Sequence, residues 1–124
     1  MANAVFSSSV TYTPSGGGSL TQGFRVAFAY TASSAGTVDV AAGSSAAVDI
    51  VFGSVSEVLG FVLQNNTDKD IAIKVGANTF YSLAAGGVLM HWSPAKSASS
   101  LTGVKATPDS PTNAGTIEFV VLGN

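Results

Sequence analysis

Cysteine is absent from the 124 residues, and histidine occurs once. The first absence excludes a disulfide framework and any thiolate-ligated metal site. The second leaves too few nitrogen ligands for a zinc centre, which draws on three or four His or Cys side chains. Charge is scarce too: Asp, Glu, Lys and Arg make up 10% of the chain, where soluble domains carry about 25%. The five cations, Arg25, Lys69, Lys74, Lys96 and Lys105, are scattered. A surface that tracks a phosphate backbone needs clustered cations, so no nucleic-acid partner is expected. No stretch approaches the ~20 consecutive apolar residues of a membrane-spanning helix, and no membrane partner is expected. The opening MANAVFSSSV lacks a basic segment followed by an apolar one, so a secretory leader is not expected either.

What takes the place of charge is Ser, Thr, Gly and Ala, beside an ordinary 46% of hydrophobic residues and a net charge of −2. Such a neutral, small-residue exterior packs against copies or partners with little cost of desolvating charge. An ordinary Ser/Thr-rich β surface is the alternative reading. The length suits one domain, 1–124, with a core large enough to need no staple.

Nearly every apolar run is short, rich in Val, Ile, Phe or Tyr, and closed by Gly, Pro, Asn or Ser, which is the pattern of strands and turns. Strands are expected at 5–13, 24–31, 37–40, 46–52, 57–64, 70–75, 79–83, 88–92, 101–107 and 116–122, with a flexible Gly-rich loop at 14–23. In FRVAFAYT, Phe24, Val26, Phe28 and Tyr30 share one face, and Arg25, Ala27 and Ala29 the other. EVLGFVLQ is apolar on both faces, Val58 and Val62 opposing Leu59, Phe61 and Leu63, and is expected to be central. The knot NNTDKD, followed by Ile71, Ile73 and Val75 on one face, reads as a hairpin turn. About ten strands without a helix give an all-β, antiparallel β-sandwich of jelly-roll type; a closed barrel around a ligand cavity is the second possibility. Large residues such as Phe28, Phe61, Trp92 and Phe119 suit a filled core better than a hollow.

Chemistry is hard to find. His91, in LMHWSP, would have to serve any Ser–His–Asp arrangement, yet no Gly-x-Ser-x-Gly elbow precedes a helix. Alternation places it opposite Met90 and Trp92, as a surface or partly buried strand histidine. Asp39 and Asp49 face each other only if AAGSS closes a symmetric hairpin, and like charges so placed repel; another register, with both carboxylates solvated, is the simpler reading. NNTDKD lacks the twelve-residue spacing and terminal Glu of a calcium loop. Glu57 and Glu118 have no acidic neighbour in sequence with which to form a glycosidase pair. Asn65-Asn66-Thr67 fits the glycosylation pattern, which matters only in a secretory pathway. Tyr12, Tyr30, Tyr81 and Trp92 could stack on a sugar, though core packing explains Tyr30 as well. No catalytic, cofactor-binding or metal-ligating residue is therefore assigned, no cofactor is expected, and an enzyme is not expected.

The order VDIVFGSVSEVLGFVLQNNTDKDIAIKVGANTFYSLAAGGVLMHWSP, closed by AGTIEFVVLGN, resembles the patterning of small β-structured virion proteins of tailed bacteriophages. An FGSV step into an apolar strand, an Asn-rich reversal, an Asp-Ile-x-Ile-Lys-Val strand and an LAAGG turn carry the resemblance, over roughly 46–124. It implies a non-enzymatic structural protein of the virion, assembled in the host cytoplasm, that decorates or cements a capsid or sits among head and tail accessories. Its partners would be the major capsid protein or other virion proteins and its own copies, with a trimer favoured. A receptor- or carbohydrate-binding β-sandwich of a tail or fibre is the alternative. The resemblance transfers no binding residue, because the matching positions are turns and core strands.

Overall fold

The computed structural model describes residues 2–75, 78–92 and 104–124, without the side chains of Phe28, Trp92 and residues 75–80. The expectations that Phe28 and Trp92 fill the core, that Trp92 could stack on a sugar, and that a strand begins at 101, together with Lys96, fall outside the described residues. The described chain is all strand and turn: β1 (Ala2–Tyr12), β2 (Leu20–Tyr30), β3 (Ala32–Val40), β4 (Val48–Asp49), β5 (Val58–Asn66), β6 (Ile71–Val75), β7 (Asn78–Leu83), β8 (Val88–Trp92), β9 (Val104–Pro108) and β10 (Gly115–Gly123). All pairings are antiparallel.

The chain parts into two compact units, 1–30 and 31–124. The reason lies in backbone pairing. β1 and β2 pair along their whole length, from Ala2 opposite Tyr30 to Tyr12 opposite Leu20, and form a sheet of two strands. The Gly-rich loop is also shorter than expected, because β2 begins at Leu20 and takes 20–23 into the ladder. Its turn runs through Gly16 at φ 77°, with the Gly17 amide donating to the Pro14 carbonyl at 3.0 Å. A positive φ at the third turn position is the geometry glycine adopts without strain.

The second unit holds two four-stranded sheets, in the orders β3-β10-β5-β8 and β4-β9-β6-β7. Six of the seven connections among these eight strands carry the chain from one sheet to the other; only β6 and β7 follow each other in the same sheet. The expected hairpin at 57–76 is therefore corrected. β5 and β6 both form, but β5 pairs with β10 and β8, and β6 with β7 and β9. The polar knot turns the chain between sheets, and two strands with complementary apolar faces need not be neighbours on one ladder.

A single core cluster draws on both sheets: Phe61, Leu63, Ile117, Phe119 and Val121 from the first, Ile71, Ile73, Leu83, Val104 and Ala106 from the second. Val58 joins that cluster, although strict alternation from Phe61 places it on the opposite face. The register explains it: Leu122 pairs with Gly60 and Gly123 with Val58, leaving Leu59 as an extra residue on β5. Such a bulge resets which face the following side chains take.

Candidate interaction surfaces

Register makes the β1–β2 ribbon two-faced. Successive pairs place Phe6 with Val26, Ser8 with Phe24, Val10 with Gln22 and Tyr12 with Leu20 on one face. The other face carries Asn3, Val5, Ser7, Ser9 and Thr11 opposite Ala29, Ala27, Arg25, Gly23 and Thr21, and is the more polar of the two although Val5 is 52% exposed on it. There the Thr11 and Thr21 hydroxyls lie 3.0 Å apart. On the first face Phe24 is 57% exposed, and Val10, Tyr12 and Leu20 are each about half exposed. A lone two-stranded hairpin is marginal in water because it has no second layer to bury such a face.

The outer face of the first sheet gives a second apolar area, assembled by register from four strands. Ala35, Val120, Val62 and Met90 form one row across β3, β10, β5 and β8, with Thr37, Glu118, Gln64 and Val88 in the next. Val88, Met90 and Val120 are 50%, 43% and 39% exposed. Small residues on β3 leave a shallow groove of about 420 Å³ between Ala35, Thr37, Val62, Gln64, Glu118 and Val120. Contiguous exposed apolar area rimmed by polar groups is how soluble proteins present contact sites.

The crossover between β5 and β6 is a rigid support. Asn65 continues the inward positions of Phe61 and Leu63 and is fully buried. Its Nδ2 donates to the carbonyls of Lys69 at 2.8 Å, Leu83 at 3.0 Å and Ala84 at 3.1 Å. Its Oδ1 accepts from the Thr67 amide at 2.9 Å and hydroxyl at 2.6 Å. With Asn65 N donating to Gly87 O at 2.9 Å, one side chain and its backbone fasten the crossover to the β7–β8 turn. Its amide is thus committed inside the fold and cannot act as a glycan acceptor while the protein is folded.

Asp68, on the outside of the same crossover, accepts the Thr112 amide at 2.9 Å and the Asn113 amide and side-chain amide at 3.0 Å each. Local desolvation pushes its carboxyl up, but the hydrogen bonds from Asn113 and Thr112, with Lys69 nearby, outweigh it and hold the pKa below the ordinary Asp value. A depressed folded pKa stabilises above the unfolded value and loses that contribution as pH falls through the folded one. Acid titration is therefore expected to loosen the 110–114 turn. Carboxyl NMR shifts should show Asp68 titrating below the ordinary Asp value, and Asp68→Asn should abolish this part of the acid sensitivity.

The residues singled out for chemistry are not gathered into one site. His91 stacks on Phe61, ring centroids 5.5 Å apart at 28°, half-buried as a strand histidine. Its Nε2 is buried without a hydrogen-bond partner among the described residues. Asp39 lies opposite Thr116, and Asp49 opposite Lys105 with 3.6 Å between charged groups, so the two carboxylates sit in different sheets. Both members of that ion pair are more than half exposed, and Lys105→Ala is expected to change the urea midpoint by no more than about 0.5 kcal/mol equivalent. Glu118 pairs with Gln64, seven residues along β5 from Glu57 and so roughly 20 Å away by strand rise, beyond the reach of a glycosidase pair. Among the described residues no three His, Asp or Glu side chains cluster to hold a metal ion. A second recess, about 400 Å³ between Ser45, Asp70, Ala72, Ser82, Thr107 and Asp109, lies on the other sheet.

The alternation of Phe24, Val26, Phe28 and Tyr30 gives the β2 half of the first apolar face from the sequence alone. Its β1 half, and the outer face of the first sheet, appear only once the strand partners are known. Compared with family models, curated proteins and solved structures, the chain matches none.

Proposed function

We propose that this chain is a non-enzymatic structural protein of a tailed-phage virion, decorating or cementing the capsid by self-association and by docking on a lattice. The observation that carries this reading is apolar area left exposed on two separate sheet faces of a protein with very little charge. Contacts of that kind release little energy singly, and repetition over a lattice turns weak contacts into firm attachment. The resemblance of residues 46–124 to small β-structured virion proteins gives the direction, and its partners are accordingly the major capsid protein or other virion proteins. A homotrimer placed in the virion after assembly in the host cytoplasm suits both.

As part of the same proposal, residues 31–124 form a jelly-roll sandwich. Support comes from the core cluster that both sheets share and from the repeated change of sheet along the chain. Jelly rolls recur in viral capsid and lectin domains, an analogy of fold and not of site. Tyr81, 47% exposed on β7, favours the alternative of a carbohydrate- or receptor-binding module. The test is sedimentation of the purified protein, alone and with capsids that lack it. Oligomers and saturable capsid binding are expected. A protein that stays monomeric and leaves the capsids bare contradicts the proposal, and sugar binding abolished by Tyr81→Ala favours the alternative.

A further inference from the structure

The outer face of the second sheet is polar where that of the first is apolar, and its charges are sorted. Of the five basic and seven acidic residues in the chain, two and three stand there. Register sets Asp49, Lys105 and Lys74 in one row across β4, β9 and β6. The two lysines point outward, because Ile73 and Ala106 beside them are fully buried. In the next row on that face Thr107 lies opposite Ala72. Beyond it the Asp109 amide donates to the Asp70 carbonyl at 3.1 Å, which puts the two aspartates opposite each other. Asp70 and Asp109 are exposed and line one recess with Ala72 and Thr107. We infer that this face is a contact between two copies of the chain, related by a two-fold axis that runs across the strands along the Ala72–Thr107 row. The inference goes beyond the proposed function, which needs no two-fold contact.

Charge complementarity selects the occupant. Two lysines directly opposite each other on a sheet repel, and so do two aspartates. Asp49 relieves Lys105 from 3.6 Å, while among the described residues Lys74, Asp70 and Asp109 have no ion-pair partner. Along each strand the unlike charges stand four residues apart, about 14 Å, beyond the screening length of about 8 Å at physiological salt. Rotation about the stated axis brings the lysine row of one copy over the aspartate row of the other. Lys74 then faces Asp70 and Lys105 faces Asp109, twice over by symmetry. An axis along the strands would stack lysine on lysine, so charge fixes the orientation too. Ala72 and Thr107, at the axis, are small enough to let the faces approach.

Four strands at ~4.8 Å and five residues at ~3.4 Å give a face of roughly 330 Å², so the contact removes about 650 Å². That is less than a stable dimer buries. The contact is therefore weak and salt-sensitive, and its complementary charges set register more than strength.

The test uses the full chain, which has no native cysteine. Ala72→Cys with a short bismaleimide reports the axis, where each copy presents the same residue to the other. Cross-linking is expected to fall at least about fivefold from low salt to about 1 M NaCl, where screening is complete within ~3 Å. In the same background Asp70→Lys with Asp109→Lys, and Lys74→Glu with Lys105→Glu, should each cross-link about tenfold more slowly alone. Their equimolar mixture should recover, joining one variant to the other only. A rate indifferent to salt overturns the inference, whether or not the variants fold. So does a mixture no faster than its components when their urea transitions match that of the parent. Capsid binding is scored on the same samples. Binding lost in both reversed variants, while parental cross-linking is indifferent to salt, gives the face to another partner and overturns the inference; binding retained in those variants leaves the proposed function standing whatever the cross-linking shows.

Discussion

Alanine at position 65 is expected to lower the unfolding free energy by about 4 kcal/mol, measured by urea denaturation. Asn65 is fully buried, and its side chain satisfies the Lys69, Leu83 and Ala84 carbonyls and both donors of Thr67. Truncation strands several of these groups away from water, at roughly 1–3 kcal/mol each, and opens space at the end of β5. Aspartate separates the polar contribution from the volume. It keeps an acceptor for Thr67 but turns a carboxylate toward three carbonyl oxygens, so its pKa in the folded state should be raised. Asn65→Asp should then be most damaging at neutral pH, and part of the loss should return as pH falls through that raised value. A change below about 1 kcal/mol for Asn65→Ala, within the range of ordinary surface substitutions, contradicts this account of the crossover.

Gly123→Ala should be nearly as severe, about 3 kcal/mol, or a fall in Tm of roughly 10 °C. A Cβ at this position collides with the backbone carbonyl oxygen of Glu57. Neither partner is free to withdraw. Asn124 N donates to Glu57 O at 2.9 Å, Glu57 N and Ser56 N donate to Asn124 O at 2.8 and 2.7 Å, and Thr31 N donates to Gly123 O at 2.9 Å. The tight approach sits beside the Leu59 bulge, where β5 and β10 come out of simple register. Gly18→Ala makes the control, because a Cβ there meets nothing within 4 Å. It should leave Tm unchanged or raise it slightly, since alanine restricts the unfolded chain. Equal effects at the two glycines contradict the packing argument.

The number and order of the strands were legible because two-residue alternation and Gly, Asn and Pro punctuation are local signals, but two sets of bounds were not: β3 begins at Ala32, five residues before its expected start, and β4 keeps only Val48–Asp49 of the expected 46–52. β6 and β8 fall where the pattern puts them, and β10 extends its expected run by one residue at each end. Strand partnership was not legible. Nothing in NNTDKD distinguishes a turn within a sheet from one between sheets, because the choice is made by β9 and β10, about 35 to 50 residues further along. Leu59 and Val58 were misassigned for the same reason, since a bulge is defined by the facing strand. Asn65 was closer to hand: a polar residue in the inward series Phe61, Leu63, Asn65 marks a buried cap. The apolar row from Ala35 to Met90 could not be read at all without the register of four strands.

Binding to particles assembled without this chain tests the central claim most directly. Purified protein mixed with such particles and spun through a sucrose cushion should pellet with them, saturate at a fixed number of copies per particle, and leave mature virions with no further capacity. Protein that remains in the supernatant at every concentration, while the particles sediment bare, contradicts the claim.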